Sequence, residues 1–179
     1  NVGTIKSSNL CSEIIEYSDE KETAVCNLAS LALPTYVNAK KHTFDYDKLR
    51  EVVKVAIRNL NRVIDINYYP TPETKTSNMR HRPVGLGIQG LADVFCILNL
   101  PFESDEADKL QTEIFETIYF AAITESNRLC MDGVYQTYSH FDGSPMSQGI
   151  FQFDMWGLKE DELSGRWPWG ILKQNVSKY

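Results

Sequence analysis

Positive charge is scarce in this sequence: 18 Lys and Arg stand against 24 Asp and Glu, a formal net charge of −6, and the tightest basic cluster is Arg80-His81-Arg82. With no basic stripe to neutralise phosphates, nucleic acid is excluded as a partner. Long apolar runs are missing too. None approaches the ~20 residues that cross a bilayer, and Asn1-Val2-Gly3-Thr4 carries no signal-peptide pattern, so no membrane partner is expected and the cytoplasm is the expected compartment. Cysteine is sparse: Cys11, Cys26, Cys96 and Cys130 are too few for a disulfide scaffold, and no Cys-x-x-Cys pair suggests zinc. Thiol chemistry, where it exists, is therefore read as catalytic rather than structural. His42, His81 and His140 stand isolated, with no His, Asp or Glu at i+3 or i+4 on a convincing helix, and no metal is assigned to them. Asn175-Val176-Ser177 is a glycosylation sequon that a cytosolic protein leaves unmodified. No internal repeat or low-complexity segment is visible.

What is present is an ordinary globular composition, 42% apolar and 23% charged over 179 residues, enough for one substantial core. The clearest helix follows Asp45 as N-cap and carries Leu49, Val52, Val53, Ala56, Ile57, Leu60, Val63 and Ile64 at spacings of three and four. Tyr68-Tyr69-Pro70-Thr71-Pro72 ends it as a stiff connector. A second helix is expected from about Gly87 through Leu98. A third starts near Ser104, with Asp105 and Glu106 at the positive end of its dipole, and stops near Gly133, burying Leu110, Ile114, Ala121 and Leu129. Upstream, Asn9 to Tyr17 reads as extended, Ser18 to Glu22 as a turn, and Thr23 to Cys26 as a returning strand whose hairpin brings Cys26 toward Cys11. Asn27 to Leu33 can equally begin a short helix ended by Pro34. After Gly133, Tyr135, Tyr138, Phe141, Phe151, Phe153, Trp156, Trp167 and Trp169 alternate with glycine and proline, a pattern that wedges loops onto a helical body. The chain has no initiator methionine and stops in what reads as the middle of an element, so residues 1–179 are expected to be a single incomplete domain, an excised piece of something larger.

Three polar residues of different chemistry stand two apart in Asn9-Leu10-Cys11-Ser12-Glu13. In an extended segment their side chains share one face, where an amide can orient a hydroxyl, a carboxylate can take its proton, and a thiol can act as nucleophile, redox group or radical carrier. The same spacing also describes the wet face of an ordinary strand, and a lone cysteine is often only a small buried hydrophobe. Gly85-Leu86-Gly87-Ile88-Gln89-Gly90 formally matches a dinucleotide-binding loop, but Ser77 to Pro83 before it does not resemble a central parallel strand. Those glycines are expected instead to let a helix pack closely. Cys96 and Cys130 read as inert packing residues, and Arg80 and Arg82 as tethers for carboxylates elsewhere in the protein.

The wording of whole segments adds a resemblance. Ser8-Asn9-Leu10-Cys11-Ser12-Glu13-Ile14 and Ala24-Val25-Cys26-Asn27-Leu28-Ala29-Ser30-Leu31 resemble the active-site stretch of the class I ribonucleotide reductase large subunit, in its eukaryotic form. Further matches run in order through Asp65-Ile66-Asn67-Tyr68-Tyr69-Pro70, Arg80-His81-Arg82-Pro83-Val84-Gly85, Gln89-Gly90-Leu91-Ala92-Asp93, Pro101-Phe102-Glu103-Ser104, Phe115-Glu116-Thr117-Ile118-Tyr119 and Gly143-Ser144-Pro145. The resemblance implies an α/β fold, here a helix-dominated interior piece of that family's ten-stranded α/β barrel.

It also implies roles. Cys11 would be the transient thiyl radical, Glu13 the base for the 3′ hydroxyl, and Asn9 the hydrogen-bonding partner of the ribose hydroxyls, with Leu10 beside the substrate. Cys26 would be half of a redox-active dithiol whose partner cysteine is absent from this chain. The implied partners are a ribonucleoside diphosphate, the remainder of the large subunit, a small radical-generating subunit, and ATP or dATP effectors at sites largely outside this segment. No cofactor is expected on the segment itself; the complete enzyme would need a metal-containing small subunit and a thioredoxin or glutaredoxin reductant. The isolated segment is expected to be inactive and, with strand edges and apolar faces left uncovered, to self-associate. Two other classes fit the residues less well: a thiol–disulfide oxidoreductase using Cys11 and Cys26 as a pair, and a helical interaction module indifferent to Asn9, Cys11 and Glu13.

Overall fold

A computed structural model describes residues 3–6, 8 and 15–178 of the chain. Its frame is two long helices. Asp45 caps α1 (Tyr46–Ile66) by accepting from the Lys48 backbone N–H at 2.9 Å, and the helix buries Leu49, Val53, Ile57, Leu60 and Ile64. Val52 and Val63, 38% and 39% exposed, flank that stripe rather than belong to it. Ser104 caps α4 (Asp105–Met131), which carries Asp105, Glu106 and Asp108 in its first turn and ends before Gly133, at φ 68°. The two helices pack lengthwise. Between them Glu125, 1% exposed, accepts from Arg58 of α1 at 3.0 Å and Arg128 of α4 at 2.7 Å.

Two six-residue strands, β1 (Asn27–Ala32) and β4 (Val84–Gln89), pair in parallel with Asn27 opposite Val84 and Ala32 opposite Gln89. One face of this pair carries Leu31, Val84, Leu86 and Ile88 into the core with Leu49, Val53 and Ile57. Between β1 and α1, β2 (Val37–Asn38) and β3 (Thr43–Phe44) form a short antiparallel pair. The remaining helices are α2 (Pro72–His81), α3 (Leu91–Leu98), α5 (Gln152–Met155) and α6 (Trp169–Val176). Among the described residues the strands close no barrel.

The aromatic tail packs as its pattern indicates except at Trp156, which is 69% exposed. Phe151, Phe153, Trp167 and Trp169 form a second core with Phe120 of α4 and with Leu172 and Val176 of α6. Phe120 and Trp167 stack at 5.2 Å, and the indole N–H groups of Trp167 and Trp169 donate to Thr117 and Glu116.

Four expectations are corrected. No return strand forms over Thr23–Cys26: the ladder begins only at Asn27, where Val84 supplies a partner, and of the other half of the expected hairpin, Asn9 to Tyr17, residues 15–17 form no strand and 9–14 lie outside the described residues. Asn27 to Ala32 is strand and not the start of a helix, and Pro34 sits inside a 3₁₀ turn (Leu33–Tyr36) instead of ending one. The helix expected from Gly87 begins at Leu91, because residues 84–89 are claimed by the parallel partner. Gly90 makes the bend at φ 76°, where an added Cβ would lie 2.8 Å from the Pro34 ring. The stiff connector expected over Tyr68 to Pro72 ends earlier, since Thr71 and Pro72 already open a helix, α2, through a capping box between Thr71 and Thr74.

Candidate active site

Asn9, Leu10, Cys11 and Glu13 lie outside the described residues. Cys26 is described, and the structure shows what holds it. It is half-buried, one residue before β1, with Sγ 3.9 Å from the Asn27 carbonyl oxygen, the reach of a weak S–H donor. The segment ahead of it is not a strand but a strap. Asp19 Oδ1 accepts from the backbone N–H groups of Lys21 and Glu22, Ser18 Oγ accepts from Ala24, and Thr23 N–H donates to the Glu73 carbonyl of α2.

Glu22 anchors that strap. Its carboxylate is 2% exposed and lies 3.3 Å from Arg80 Nη1 and 3.2 Å from His81 Nε2, both in the last turn of α2. The His81 ring stacks on His140 at 5.4 Å, and Arg80 Nε donates to Ser139 Oγ at 3.1 Å, which ties in the loop after α4. Two of the histidines isolated in sequence, His81 and His140, are therefore neighbours in space. Desolvation, and then the positive charge of Arg80, hold the His140 imidazole below its ordinary pKa. Beside this cluster is a cavity of about 290 Å³ lined by Glu16, Tyr17, Ser77, His81, Tyr138 and His140, and burial pushes the Glu16 carboxyl above the usual range. Among the described residues no group of three or more His, Cys, Asp or Glu can hold a metal ion.

Downstream of Cys26, Asn27 Nδ2 donates to Asn78 Oδ1 and to the Pro83 carbonyl oxygen. Next to it Arg82, the left-handed cap of α2 at φ 48°, donates to the Asn61 side chain and carbonyl and to Asp65, with its guanidinium 4.1 Å from the Tyr135 ring centroid. The tethering expected of Arg80 and Arg82 is realised within this chain. Sequence reasoning missed Glu22, Asn27 and Asn78. The signal available was polar residues recurring through 71–81 without an apolar stripe, which describes a helix whose inward face is hydrogen-bonded.

The other two thiols differ from one another. Cys130 is half-buried in α4, where burial pushes its thiol up, whereas Cys96 is exposed on α3 and does not pack as expected. The Gly85-x-Gly87 pair lies inside β4 rather than between a strand and a helix, so these glycines neither cradle a phosphate nor seat a helix; a Cβ on Gly87 would make ordinary contact with Ser30.

A parallel strand pair flanked by helices, with a thiol at the head of its first strand, is a piece of an α/β barrel, and the family description "Ribonucleotide reductase, barrel domain" matches residues 1–179; the chain belongs to that family. Over 179 residues it is 56% identical to the ribonucleoside-diphosphate reductase large chain of Schizosaccharomyces pombe, covering 100% of this chain and 21% of that one. It is 53% identical over 178 residues to the large subunit of Danio rerio and 50% over 197 to that of Arabidopsis thaliana, each match taking in 99% of this chain. The chain thus spans about a fifth of the length of these relatives, whose sources agree with the eukaryotic form of the resemblance. Among the described residues, no helix is long and apolar enough to cross a membrane.

Proposed function

We propose that this chain is an interior part of the catalytic barrel of a ribonucleoside-diphosphate reductase, acting in the cytoplasm to make deoxyribonucleotides for DNA synthesis. The observation that supports this reading is the family match over all 179 residues together with Asn9, Cys11 and Glu13 at spacing two, followed by Cys26. In the reaction a Cys11 thiyl radical takes the 3′ hydrogen of a ribonucleoside diphosphate. Glu13 takes the 3′ hydroxyl proton, which leaves more easily once the neighbouring carbon is a radical, while Asn9 holds the ribose hydroxyls in register and Leu10 lies against the sugar. The 2′ hydroxyl departs as water, and the two electrons it requires come from a dithiol that becomes a disulfide. Cys26 is one half of that dithiol and the other half lies in the remainder of the large subunit. The radical originates in a metal-containing small subunit, the disulfide is re-reduced by a thioredoxin or glutaredoxin, and ATP or dATP acts at sites largely outside this segment.

The test is Cys11→Ser in a full-length large subunit carrying this segment. Nucleotide reduction should fall below about 1% of the parent rate with substrate binding kept, because an alcohol O–H bond is too strong for the hydrogen exchange a thiol allows. Turnover well above that level would overturn the radical assignment.

A further inference from the structure

An amide pair with almost no exposed surface stands immediately after the thiol. Asn27, 7% exposed, donates from Nδ2 to Asn78 Oδ1 and to the Pro83 carbonyl oxygen, both at 3.0 Å, so both of its amide protons are engaged. Asn78 is fully buried and passes the restraint on: its Nδ2 donates to the Tyr69 hydroxyl at 2.5 Å, and that hydroxyl donates to the Ile64 carbonyl at 2.6 Å. One hydrogen-bonded chain therefore runs from the first residue of β1, through the last turn of α2, to the last turn of α1. A helix that needed only packing would carry an apolar residue at 78. An amide buried there is costly unless satisfied, and its acceptor oxygen is taken by Asn27.

The consequence for the thiol follows from strand geometry. Side chains alternate across an extended chain, so seating Asn27 toward α2 turns its neighbours the other way; Leu28, on the far side, is 58% exposed. A slip of one residue would exchange the two faces. Upstream, Glu22 and Thr23 are fixed to the same helix through Arg80, His81 and Glu73, leaving only residues 24–26 between two clamps.

We propose that Asn78 is a positioning residue for Cys26: through Asn27 it sets register and facing at the head of β1, so that the thiol is presented in one orientation, opposite α2, for thiol–disulfide exchange. This rests on the redox role proposed for Cys26, and the test separates the two.

In the 179-residue chain, alkylation by iodoacetamide is followed at each cysteine by peptide mass spectrometry over a range of pH, with Cys130 as internal reference. Asn78→Ala should raise the Cys26 rate about fivefold or more relative to Cys130, and Tyr69→Phe, which removes only the far anchor, about twofold, because a released thiol reacts according to its access and thiolate fraction. Asn78→Asp keeps an acceptor for Asn27 but loses the donor to Tyr69 and buries a carboxylate, so its Cys26 rate should rise at least as much as in Tyr69→Phe. A Cys26 rate unchanged in cooperatively melting Asn78→Ala, or a rise shared equally by Cys130, overturns the inference. If Asn78→Ala does not fold, an unchanged rate in Tyr69→Phe does so. In a full-length large subunit, Asn78→Ala should lower kcat roughly tenfold with little change in KM. A full-length Cys26→Ser protein that kept its rate would instead overturn the redox role and leave the alkylation result standing.

Discussion

The tail after α4 and the strap before β1 are both irregular segments fastened to the same helical body, and they are fastened by opposite means. The tail is held chiefly by rings: Trp169 contacts Phe120, Phe151 and Phe153 at centroid distances of 5.0 to 5.7 Å, and polar ties to α4 from Trp167, Trp169, Ser164 and Arg166 lie around that aromatic centre. The strap is held by directional polar contacts to α2, through Glu22, Thr23 and Asn27. Aromatic burial tolerates small shifts because it depends on area removed from water, whereas a buried amide or carboxylate is satisfied in only one geometry. Stability is concentrated in the tail and precision in the strap, and it is the strap that leads to the proposed redox thiol.

The comparison breaks most visibly at Trp169, which is 1% exposed. Trp169→Ala removes the ring around which the second core is built and should destabilise the chain by about 3–5 kcal/mol, within the usual range for emptying a buried aromatic site. In a thermal melt that corresponds to a fall of roughly 10 °C for a chain of this size. A change under about 1 kcal/mol would show that the tail packs as an accessory and not as core.

The same contrast explains what could be read in the sequence. Helices α1 and α4 were legible because Leu49, Val53, Ile57, Leu60 and Ile64, and Leu110, Ile114 and Ala121, recur at helical spacing behind clear N-caps, and the aromatic tail because rings separated by glycine and proline have few other uses. Helix α2 was not. Its inward residues are Thr74, Ser77 and Asn78, so the hydrophobic period that marks a helix is absent and only Thr71 and Pro72 announce its start. Strand β4 was hidden for a related reason: two glycines and an N-terminal neighbour in α2 gave no strand signal, and only pairing with β1, 57 positions earlier in the register Asn27 to Val84, makes it one. The residues proposed for the chemistry, Asn9, Cys11, Glu13 and Cys26, stood out as words in the sequence, while the contacts around Cys26 did not, because Glu22, Asn27 and Asn78 acquire meaning only when α2 lies beside them.

A change of intermediate size is expected at Glu125, the polar contact that fastens α1 to α4. Burial works to raise its pKa, but hydrogen bonds from Arg128 and Arg58 outweigh that and hold the carboxyl below its ordinary value of 4.5. A carboxylate with a lowered folded-state pKa contributes stability that is present above its unfolded value and is lost as pH falls through the folded value. Glu125→Gln should therefore cost about 1–2 kcal/mol near neutrality, where the charged partners are partly exposed, and nothing at pH low enough to protonate the parent carboxyl. Urea melts of both proteins from pH 7 to pH 3 would show the curves converging; parallel curves would mean that the arginines contribute through packing alone.

The smallest global effect, and the most local, belongs to Glu22. Its carboxylate is as deeply buried as that of Glu125 but pairs with one arginine, Arg80, where Glu125 pairs with two, Arg58 and Arg128, so less charge-assisted bonding is lost with it. Glu22→Gln should accordingly lower overall stability by less than about 1 kcal/mol. The strap itself is another matter, since without the paired carboxylate the residues ahead of Asn27 are held mainly by the Asp19 turn and the single Thr23 to Glu73 backbone bond. Amide hydrogen exchange across residues 19–26 should rise about tenfold while protection in α1 and α4 is unchanged, the signature of a segment that opens on its own. If Glu22→Gln instead lowered protection everywhere and melted as early as Trp169→Ala, the strap would belong to the core, and the division between an apolar region that stabilises and a polar region that positions would fail.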